Sequence, residues 1–335
     1  MLEAAEDLPL AVGPAMTKTG TGEDCALPAI VHEDTDGSAM DKVLTLIGEK
    51  GRLDETQISE VVATLAGMGA MIDPPNWLSY RTAVDLPFMG IECEDARDLA
   101  YEALGDVAVD AIAQPSEGRR KKLLVADMES TIIENEMLDE LADEAGIRDR
   151  IADITARAMN GELDFEGAIK ERVGLLAGLE EGALARTAKL IRITEGAENL
   201  IATMRENGAI CALVSGGFTY YTAEIRERLG FNLDQANQLE IADGKLTGRV
   251  IEPILGRDAK EARLRALCDE HKIPIEASIS VGDGANDLAM LAVAGIGVAF
   301  HAKPLVAREA SARVDHGDLT ALLYIQGYRD DDFVS

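Results

Sequence analysis

Continuous apolar runs alternate with helical patterns along most of the chain. Strands that are buried on both faces of a parallel sheet give such runs, and four of them cover 123–126, 209–214, 279–281 and 296–300. Segments with apolar residues at helical spacing stand between or after these runs, including 196–206, 220–229, 258–271 and 288–294. This order of strands and helices predicts an α/β fold with a doubly wound, Rossmann-like parallel sheet.

The first two of these runs are separated by a long insertion. It contains three helical stretches, at 136–145, 148–159 and 165–176, and no strand pattern between them. An insertion of this kind, placed directly after a strand, can fold over the end of that strand as a cap. We therefore predict a helical cap at about 135–195, inserted after the first strand of a domain that covers 123–328.

A smaller unit is predicted before this domain. Residues 42–47, 77–86 and 107–112 have strand character, and 54–68 and 93–104 have helical spacing. The βαβαβ order is typical of a ferredoxin-like or ACT-like α+β domain, which we place at 39–114. It carries no catalytic pattern, so a structural module, a module that forms a homodimer and an amino-acid sensor all stay open.

The remaining segments are predicted to be irregular. Residues 1–38 mix Gly, Pro, Thr and acidic residues without periodicity, which predicts a disordered acidic tail. Residues 115–122 are rich in Pro, Ser, Gly and basic residues and are assigned as a linker, and 329–335 as an acidic carboxyl-terminal tail.

Charge and composition narrow the possible functions. The 335 residues include 61 acidic and 32 basic ones, and a net charge of -29 argues against a nucleic-acid partner. No apolar run approaches the ~20 residues of a membrane span, and the amino terminus lacks the pattern of a signal peptide, so we expect a cytoplasmic protein without a membrane partner. The four cysteines form no CxxC pair, which argues against a zinc site or a disulfide framework.

Polar residues follow three of the predicted parallel strands. Asp127 and Glu129 follow the first, Ser215 and Gly216 the second, and Asp283, Asn286 and Asp287 the third, while Lys260 lies on the helix before the third. The carboxyl ends of parallel strands meet at one edge of a sheet, so we expect these residues to converge there.

Together these residues suit phosphoryl transfer. A carboxylate such as Asp127 can accept a phosphoryl group as an acyl phosphate. The hydroxyl of Ser215, backbone N–H groups at Ser215-Gly216 and the ammonium of Lys260 can bind phosphoryl oxygens. The carboxylates of Asp127, Asp283 and Asp287 are the hard oxygen ligands that Mg²⁺ prefers, so we expect Mg²⁺ as cofactor.

Residues 121 to about 325 resemble the phosphatases of the haloacid dehalogenase superfamily, and specifically the phosphoserine phosphatases of the SerB type. The resemblance rests on Asp127-Met128-Glu129-Ser130-Thr131, Ser215-Gly216-Gly217, Lys260, the segment Gly282-Asp283-Gly284-Ala285-Asn286-Asp287, and the cap. It implies that Asp127 is the nucleophile, that Glu129 is the general acid and base, and that Asp283 helps to hold Mg²⁺. It also implies that Ser215, Gly216, Lys260 and Asn286 bind phosphate, and that the backbone carbonyl of Glu129 is a metal ligand.

The resemblance also implies how the cap receives the substrate. Glu136 would bind the ammonium group of phosphoserine and Arg172 its carboxylate, while Met159 and Phe165 shape the pocket. A zwitterionic amino acid needs one anionic and one cationic partner, which is what these two charged residues offer. The implied activity is Mg²⁺-dependent hydrolysis of O-phospho-L-serine to L-serine and phosphate, the last step of serine biosynthesis.

The chain departs from the family pattern at two positions. The family has DxDxT where this chain has Glu129 in place of the second Asp, and Glu195 replaces a usual proline. Glu is one methylene longer than Asp, and a displacement of ~1 Å in a catalytic group can cost ~10²-fold in rate. Two alternatives therefore stay open: a phosphatase for another small phosphomonoester, and a weakly active or non-catalytic amino-acid-binding regulator. A P-type ATPase is excluded by the lack of membrane spans, and a dinucleotide-binding enzyme by the lack of GxGxxG after a first strand.

Overall fold

The computed structural model describes residues 40–159 and 162–334, so the predicted tail at 1–38 lies outside the described residues. Ala39–Ser335 form one compact unit. Within it the chain builds two β-sheets. None of the helices in the described part of the chain has the length and the apolar character that a membrane span needs.

The first sheet is antiparallel and is built by the amino-terminal part of the chain. Its strands are β1 (Lys42–Gly48), β2 (Met71–Ile72), β3 (Asn76–Ser79), β4 (Ala83–Met89) and β5 (Val109–Pro115), and its helices are α1 (Glu55–Gly67) and α2 (Cys93–Leu104). The strand order is β2-β4-β1-β5, with β3 also paired to β4. Leu44, Leu46, Leu86 and Ala111 of the sheet pack with Val61 and Ala100 of the helices in one buried cluster.

The prediction of a single strand at 77–86 is wrong. The chain forms two antiparallel strands there, β3 and β4, and reverses between them at Tyr80–Thr82. Arg81 occupies the left-handed region with φ 58°. No Gly or Pro marks the reversal at Tyr80–Thr82, so the residue types there do not indicate a turn.

Helix α1 shows how the local sequence sets an element's limits. The Asp54 side chain accepts hydrogen bonds from the backbone N–H groups of Thr56 and Gln57, and the Gln57 side chain accepts one from the Asp54 N–H. This capping box satisfies N–H groups that the first turn of a helix leaves unpaired.

The second sheet has seven strands and carries the predicted strand-end residues. The strands are β6 (Leu123–Ala126), β7 (Ile210–Phe218), β8 (Leu233–Ala242), β9 (Lys245–Ile251), β10 (Ser278–Gly282), β11 (Ile296–Phe300) and β12 (Ala312–Val314). Their order is β12-β11-β10-β6-β7-β8-β9, and all neighbours are parallel except β8 and β9, which form a hairpin.

Helices cover both faces of this sheet. They are α7 (Ala197–Glu206), α8 (Thr219–Leu229), α9 (Arg257–His271), α10 (Leu288–Val293), α11 (Pro304–Glu309) and α12 (Ala321–Ile325). Leu124 and Ala126 of β6 belong to one buried cluster with Leu200 of α7, whereas Leu123 and Val125 belong to another with Leu264 of α9. A strand that is buried on both faces reads as a continuous apolar run, and the predicted doubly wound α/β fold is confirmed.

The described residues of the insertion after β6 form four helices: α3 (Met137–Glu144), α4 (Arg148–Met159), α5 (Phe165–Gly174) and α6 (Gly182–Ala188). The sequence did not predict α6. Two backbone hydrogen bonds connect the ends of the insertion, from Glu134 N–H to the Arg192 carbonyl (2.9 Å) and from Thr194 N–H to the Ile132 carbonyl (3.0 Å). We call α3–α6 the cap.

Buried polar contacts join the two sheets. The Asp110 carboxylate of β5 accepts hydrogen bonds from the N–H groups of Asp315, His316 and Gly317, at 2.8, 3.1 and 3.0 Å. Arg119 donates to both carboxylate oxygens of Asp85 in β4, at 2.6 and 3.0 Å. The Asp110 bonds fix the first sheet to the loop that follows β12, and the Arg119–Asp85 pair fixes it to the segment between β5 and β6.

Candidate active site

The carboxyl ends of four parallel strands, β11, β10, β6 and β7, lie side by side. Ala126 of β6 pairs in register with Val281 of β10 and with Leu213 of β7. Asp127 and Asp283 directly follow the ends of β6 and β10, at the edge that the sequence predicted. Ser215 and Gly216 were expected to follow the second strand, but β7 continues to Phe218 and contains them, in a stretch where its pairing with β8 is interrupted between Val214 and Phe218.

A cavity of about 340 Å³ opens between this edge and the cap. The sheet side contributes the strand-end residues and the cap contributes acidic, apolar and cationic side chains. The lining residues are Asp127, Glu129, Glu136, Leu138, Asp139, Thr155, Phe165, Ile169, Arg172, Gly216, Gly217, Phe218, Asp283, Gly284, Asn286 and Lys303.

Beneath the cavity floor, Lys260 connects two carboxylates. Its ammonium lies 2.6 Å from Asp127 Oδ1 and 2.6 Å from Asp287 Oδ1. The Lys260 side chain is only 4% exposed, and its pKa is raised because the attraction of the two carboxylates outweighs the effect of burial. Lys260 therefore holds Asp127 through a close ion pair, while it donates a hydrogen bond to Asp287.

Three carboxylates form a cluster that suits a divalent cation. One oxygen from each of Asp127, Asp283 and Asp287 lies within 4.8 Å of the others. Burial and the charge of Asp287 raise the pKa of Asp127 to about 7. Burial is also the main cause that raises the pKa of Asp283 to about 6. Hard oxygen donors that repel one another fit a small divalent cation, which would offset their charge.

Glu129 points toward the start of the cap. Its carboxylate accepts a hydrogen bond from the backbone N–H of Met137, the first residue of α3, at 2.9 Å. Gly217 leaves room for it, since a Cβ at that position would lie 2.9 Å from Glu129 Oε2. Burial, followed by the charge of Glu136, raises the pKa of Glu129 to about 8. The Glu129 side chain, which is longer than the Asp of the family pattern, is thus accommodated between the start of the cap and Gly217 of β7.

One anionic and one cationic side chain face the cavity from the cap side. Glu136 is exposed and accepts a hydrogen bond from Ser130 Oγ at 2.8 Å. Arg172 is half-buried, and its Nε donates to the Ala168 carbonyl at 3.3 Å. Burial lowers the pKa of Arg172, while Glu129, Glu136 and Asp139 act in the opposite direction.

Of the other predicted site residues, Phe165 lines the cavity, whereas Ser215 and Asp287 are buried behind its wall. Phe165 faces the last part of β7, because a Cβ on Gly216 would lie 3.2 Å from its ring. Ser215 is buried and accepts a hydrogen bond from the Gly217 N–H at 2.9 Å. Asp287 is buried and accepts one from the Gly284 N–H at 3.0 Å. Met159 ends α4, and its side chain lies outside the described residues.

Asn237 and Lys303 are among the site residues that were missed in the sequence. Asn237 donates to the Gly216 carbonyl at 2.8 Å and accepts from the Leu255 N–H at 2.7 Å, and no sequence signal marked it. Lys303 lines the cavity, and its backbone N–H donates to the Asp283 carbonyl at 3.2 Å. It follows β11 closely, so the strand-end argument would have found it had it been applied to 296–300.

Comparison with known proteins identifies this arrangement. Residues 124–292 match the haloacid dehalogenase-like hydrolase family. The chain belongs to this family. The match begins in β6 and ends in α10, so it includes all three strand-end segments, and the protein is an enzyme of the hydrolase class.

Similar members of the haloacid dehalogenase-like family are phosphoserine phosphatases. The enzyme of that name from Streptomyces coelicolor is 44% identical over 291 residues, which cover 85% of this chain and 70% of the relative. The structure of a probable phosphoserine phosphatase from Vibrio cholerae, in unliganded form, is 30% identical with a TM-score of 0.71 and covers 86% of each chain. A phospho-aspartyl intermediate analogue of phosphoserine phosphatase is 40% identical with a TM-score of 0.58, and covers 61% of this chain and 98% of the other.

Proposed function

We propose that the protein hydrolyses O-phospho-L-serine to L-serine and phosphate, with Mg²⁺ as cofactor, as the last step of serine biosynthesis. The observation that carries the proposal is that Glu136 and Arg172 face the same cavity as the buried Asp127 carboxylate. A phosphorylated zwitterion needs an anion for its ammonium, a cation for its carboxylate and a nucleophile for its phosphorus. The names of the related enzymes support the same substrate.

In the proposed first step, a carboxylate oxygen of Asp127 attacks the phosphorus and the bond from phosphorus to the seryl oxygen breaks. Glu129 gives its proton to the leaving seryl oxygen. Lys260 keeps Asp127 in place, since the two groups lie 2.6 Å apart. The product of this step is an aspartyl phosphate on Asp127 and free serine, and a related protein has been solved as an analogue of such an intermediate.

In the second step, Glu129 takes a proton from water as the water oxygen attacks phosphorus. The bond from phosphorus to Asp127 breaks, which releases phosphate and restores the carboxylate. Backbone N–H groups at Ser215-Gly216, the hydroxyl of Ser215, the ammonium of Lys260 and the side chain of Asn286 would bind phosphoryl oxygens in both steps.

The carboxylates of Asp127, Asp283 and Asp287, together with the backbone carbonyl of Glu129, would hold Mg²⁺ in this proposal. Bound there, the cation would offset the negative charge of the phosphoryl group and of the carboxylate cluster. The close approach of the three carboxylates supports this assignment.

We propose in addition that 39–114 is an ACT-like domain joined through the linker 115–122 to the phosphatase domain 123–328, with its cap at about 135–195. The antiparallel order β2-β4-β1-β5 with two helices supports this type of domain. We propose that it forms a homodimer, and that the protein works in the cytoplasm without a nucleic-acid or membrane partner.

A substrate panel tests the proposed function. Phosphate release is measured from phosphoserine, phosphothreonine and phosphoethanolamine, with Mg²⁺ and with a chelator. We expect phosphoserine to give the highest kcat/KM, and we expect the chelator to abolish release. Preference for another ester would indicate a different phosphatase, and release from none of them would favour the amino-acid-binding regulator.

A further inference from the structure

Lys303 is a cation of the cavity for which the mechanism above gives no role. It stands just before α11, and its side chain is 59% exposed. The Lys303 ammonium lies 3.7 Å from Asp283 Oδ2, and both residues line the cavity together with Asn286. The lysine is therefore at the sheet side of the cavity, where the phosphoryl group of a substrate would lie.

The second lysine of the site is already paired. Lys260 donates to Asp127 and Asp287 at 2.6 Å each, and it lies beneath the cavity rather than in its wall. Two close carboxylates neutralise its charge, so an incoming anion gains less from it than from a loosely paired ammonium. Lys303 differs in both respects, since its side chain is exposed and its ammonium is paired more loosely, at 3.7 Å from Asp283 Oδ2.

Apart from the proposed Mg²⁺, a phosphate dianion that enters this cavity meets few positive charges. Of the lining residues that the structure describes, Asp127, Glu129, Glu136, Asp139 and Asp283 are acidic, and Arg172 and Lys303 are basic. Arg172 belongs to the cap and is assigned to the substrate carboxylate. Lys303 is thus the basic lining residue that is left to attract a phosphate dianion into a predominantly acidic cavity.

The backbone around Lys303 is well fixed, although its side chain is exposed. Its N–H donates to the Asp283 carbonyl at 3.2 Å, and Pro304 follows at the first position of α11. A proline at that position restricts the backbone in the helical conformation. The backbone of Lys303 is therefore held beside Asp283, while its ammonium is able to move from the Asp283 carboxylate to another anion.

We propose that the Lys303 ammonium leaves Asp283 and binds a phosphoryl oxygen of the incoming phosphomonoester, and that it binds the product phosphate in the same way. This inference rests on the proposed function. A dianion attracts an ammonium more strongly than a single carboxylate at 3.7 Å does, so the exchange is favourable. Lys303 is thereby a substrate-binding residue that governs phosphate affinity, and the transfer step itself does not need it.

The test compares Lys303→Met, Lys303→Arg and the control Lys189→Met with the wild type. Lys189 is exposed and lies at the end of α6, away from the cavity lining, so the control makes the same charge change elsewhere. With phosphoserine as substrate, we expect Lys303→Met to raise KM and the inhibition constant of inorganic phosphate by about tenfold or more, with kcat within about twofold. We expect Lys303→Arg to keep most of the affinity and Lys189→Met to match the wild type.

Binding of inorganic phosphate, measured by calorimetry in the presence of Mg²⁺, gives a readout without turnover. We expect the Kd to increase about tenfold for Lys303→Met alone. An unchanged Kd overturns the inference, even if the wild type hydrolyses no tested ester and the proposed function fails. A lower kcat and weaker Mg²⁺ binding with unchanged phosphate affinity also overturns it, because Lys303 would then only hold Asp283.

Discussion

The two sides of the cavity are built differently. On the sheet side, the carboxylates of Asp127 and Asp287 are buried, and each lies 2.6 Å from the buried ammonium of Lys260. On the cap side, Glu136 is exposed and Arg172 is half-buried, with a backbone carbonyl as its hydrogen-bond partner. Groups that must hold one geometry throughout a reaction are fixed by a packed core, whereas groups that receive a substrate stay accessible. We therefore assign the chemistry to the sheet side and the choice of substrate to the cap.

Replacement of the proposed nucleophile should have the largest effect. Asp127→Asn keeps the shape of the side chain but removes the attacking oxygen anion, so we expect phosphate release to fall by at least about 10³-fold for every substrate. The matched change on the cap side is Asp139→Asn, which we expect to alter KM rather than to abolish turnover. Comparable losses for the two variants, measured as kcat, would break the division between the two sides.

Truncation of the cap arginine should affect substrates selectively. We expect Arg172→Ala to raise KM for phosphoserine by about 10- to 100-fold, because a charge-assisted hydrogen bond to the carboxylate is lost. Phosphoethanolamine has no carboxylate, so its kcat/KM should stay within about threefold. Equal changes for the two esters would show that Arg172 does not recognise the carboxylate.

Glu129 connects the two sides, and its length should matter. Glu129→Asp shortens the acid and weakens its bond to the Met137 N–H, so we expect kcat to fall by about 10-fold and by no more than about 10²-fold. Gly217→Ala should also lower kcat, because the added Cβ would lie 2.9 Å from the Glu129 carboxylate. The double variant should be less impaired than the two separate losses imply, since the shorter acid leaves room for the Cβ. If the losses in kcat from the two single variants combined independently in the double variant, the predicted contact between Glu129 and a Cβ at position 217 would be contradicted.

The smallest effect should be the pH dependence of cation binding. The pKa values of Asp127 and Asp283 are raised to about 7 and about 6, so both groups are increasingly protonated as the pH falls through this range. Mg²⁺ binds the carboxylate forms, and we expect its affinity to increase from pH 5.5 to 7.5 and to level off above. Calorimetry in two buffers should show proton release on binding below pH 7. A constant affinity over this range would mean that the cluster does not hold the cation.

The sequence revealed the sheet side more fully than the cap side. Buried parallel strands give continuous apolar runs, and the polar residues that follow them had to meet at one edge, which located Asp127, Ser215 and Asp283. The same rule would have located Lys303. The roles of Glu136 and Arg172 came from family resemblance, because a charged residue on a helix is usually just solvated.

Other features depended on contacts that no local pattern encodes. Asn237 supports Gly216 through hydrogen bonds between segments that lie far apart in sequence. The bond from the Met137 N–H to Glu129 appears only once the cap has folded back onto the strand end. The reversal between β3 and β4 was missed because ordinary residues form it. Packing between segments decided the first two features, whereas the reversal is a local turn that its residue types do not mark.

Acid-quench labelling tests the central claim most directly. The wild type is mixed with phosphoserine that carries a radioactive phosphoryl group, in the presence of Mg²⁺, and quenched with acid within a single turnover. We predict label on a peptide that contains Asp127, with stoichiometric serine release, and no label on Asp127→Asn. Serine release from the wild type without label at Asp127, or turnover by Asp127→Asn at the wild-type rate, would contradict the account.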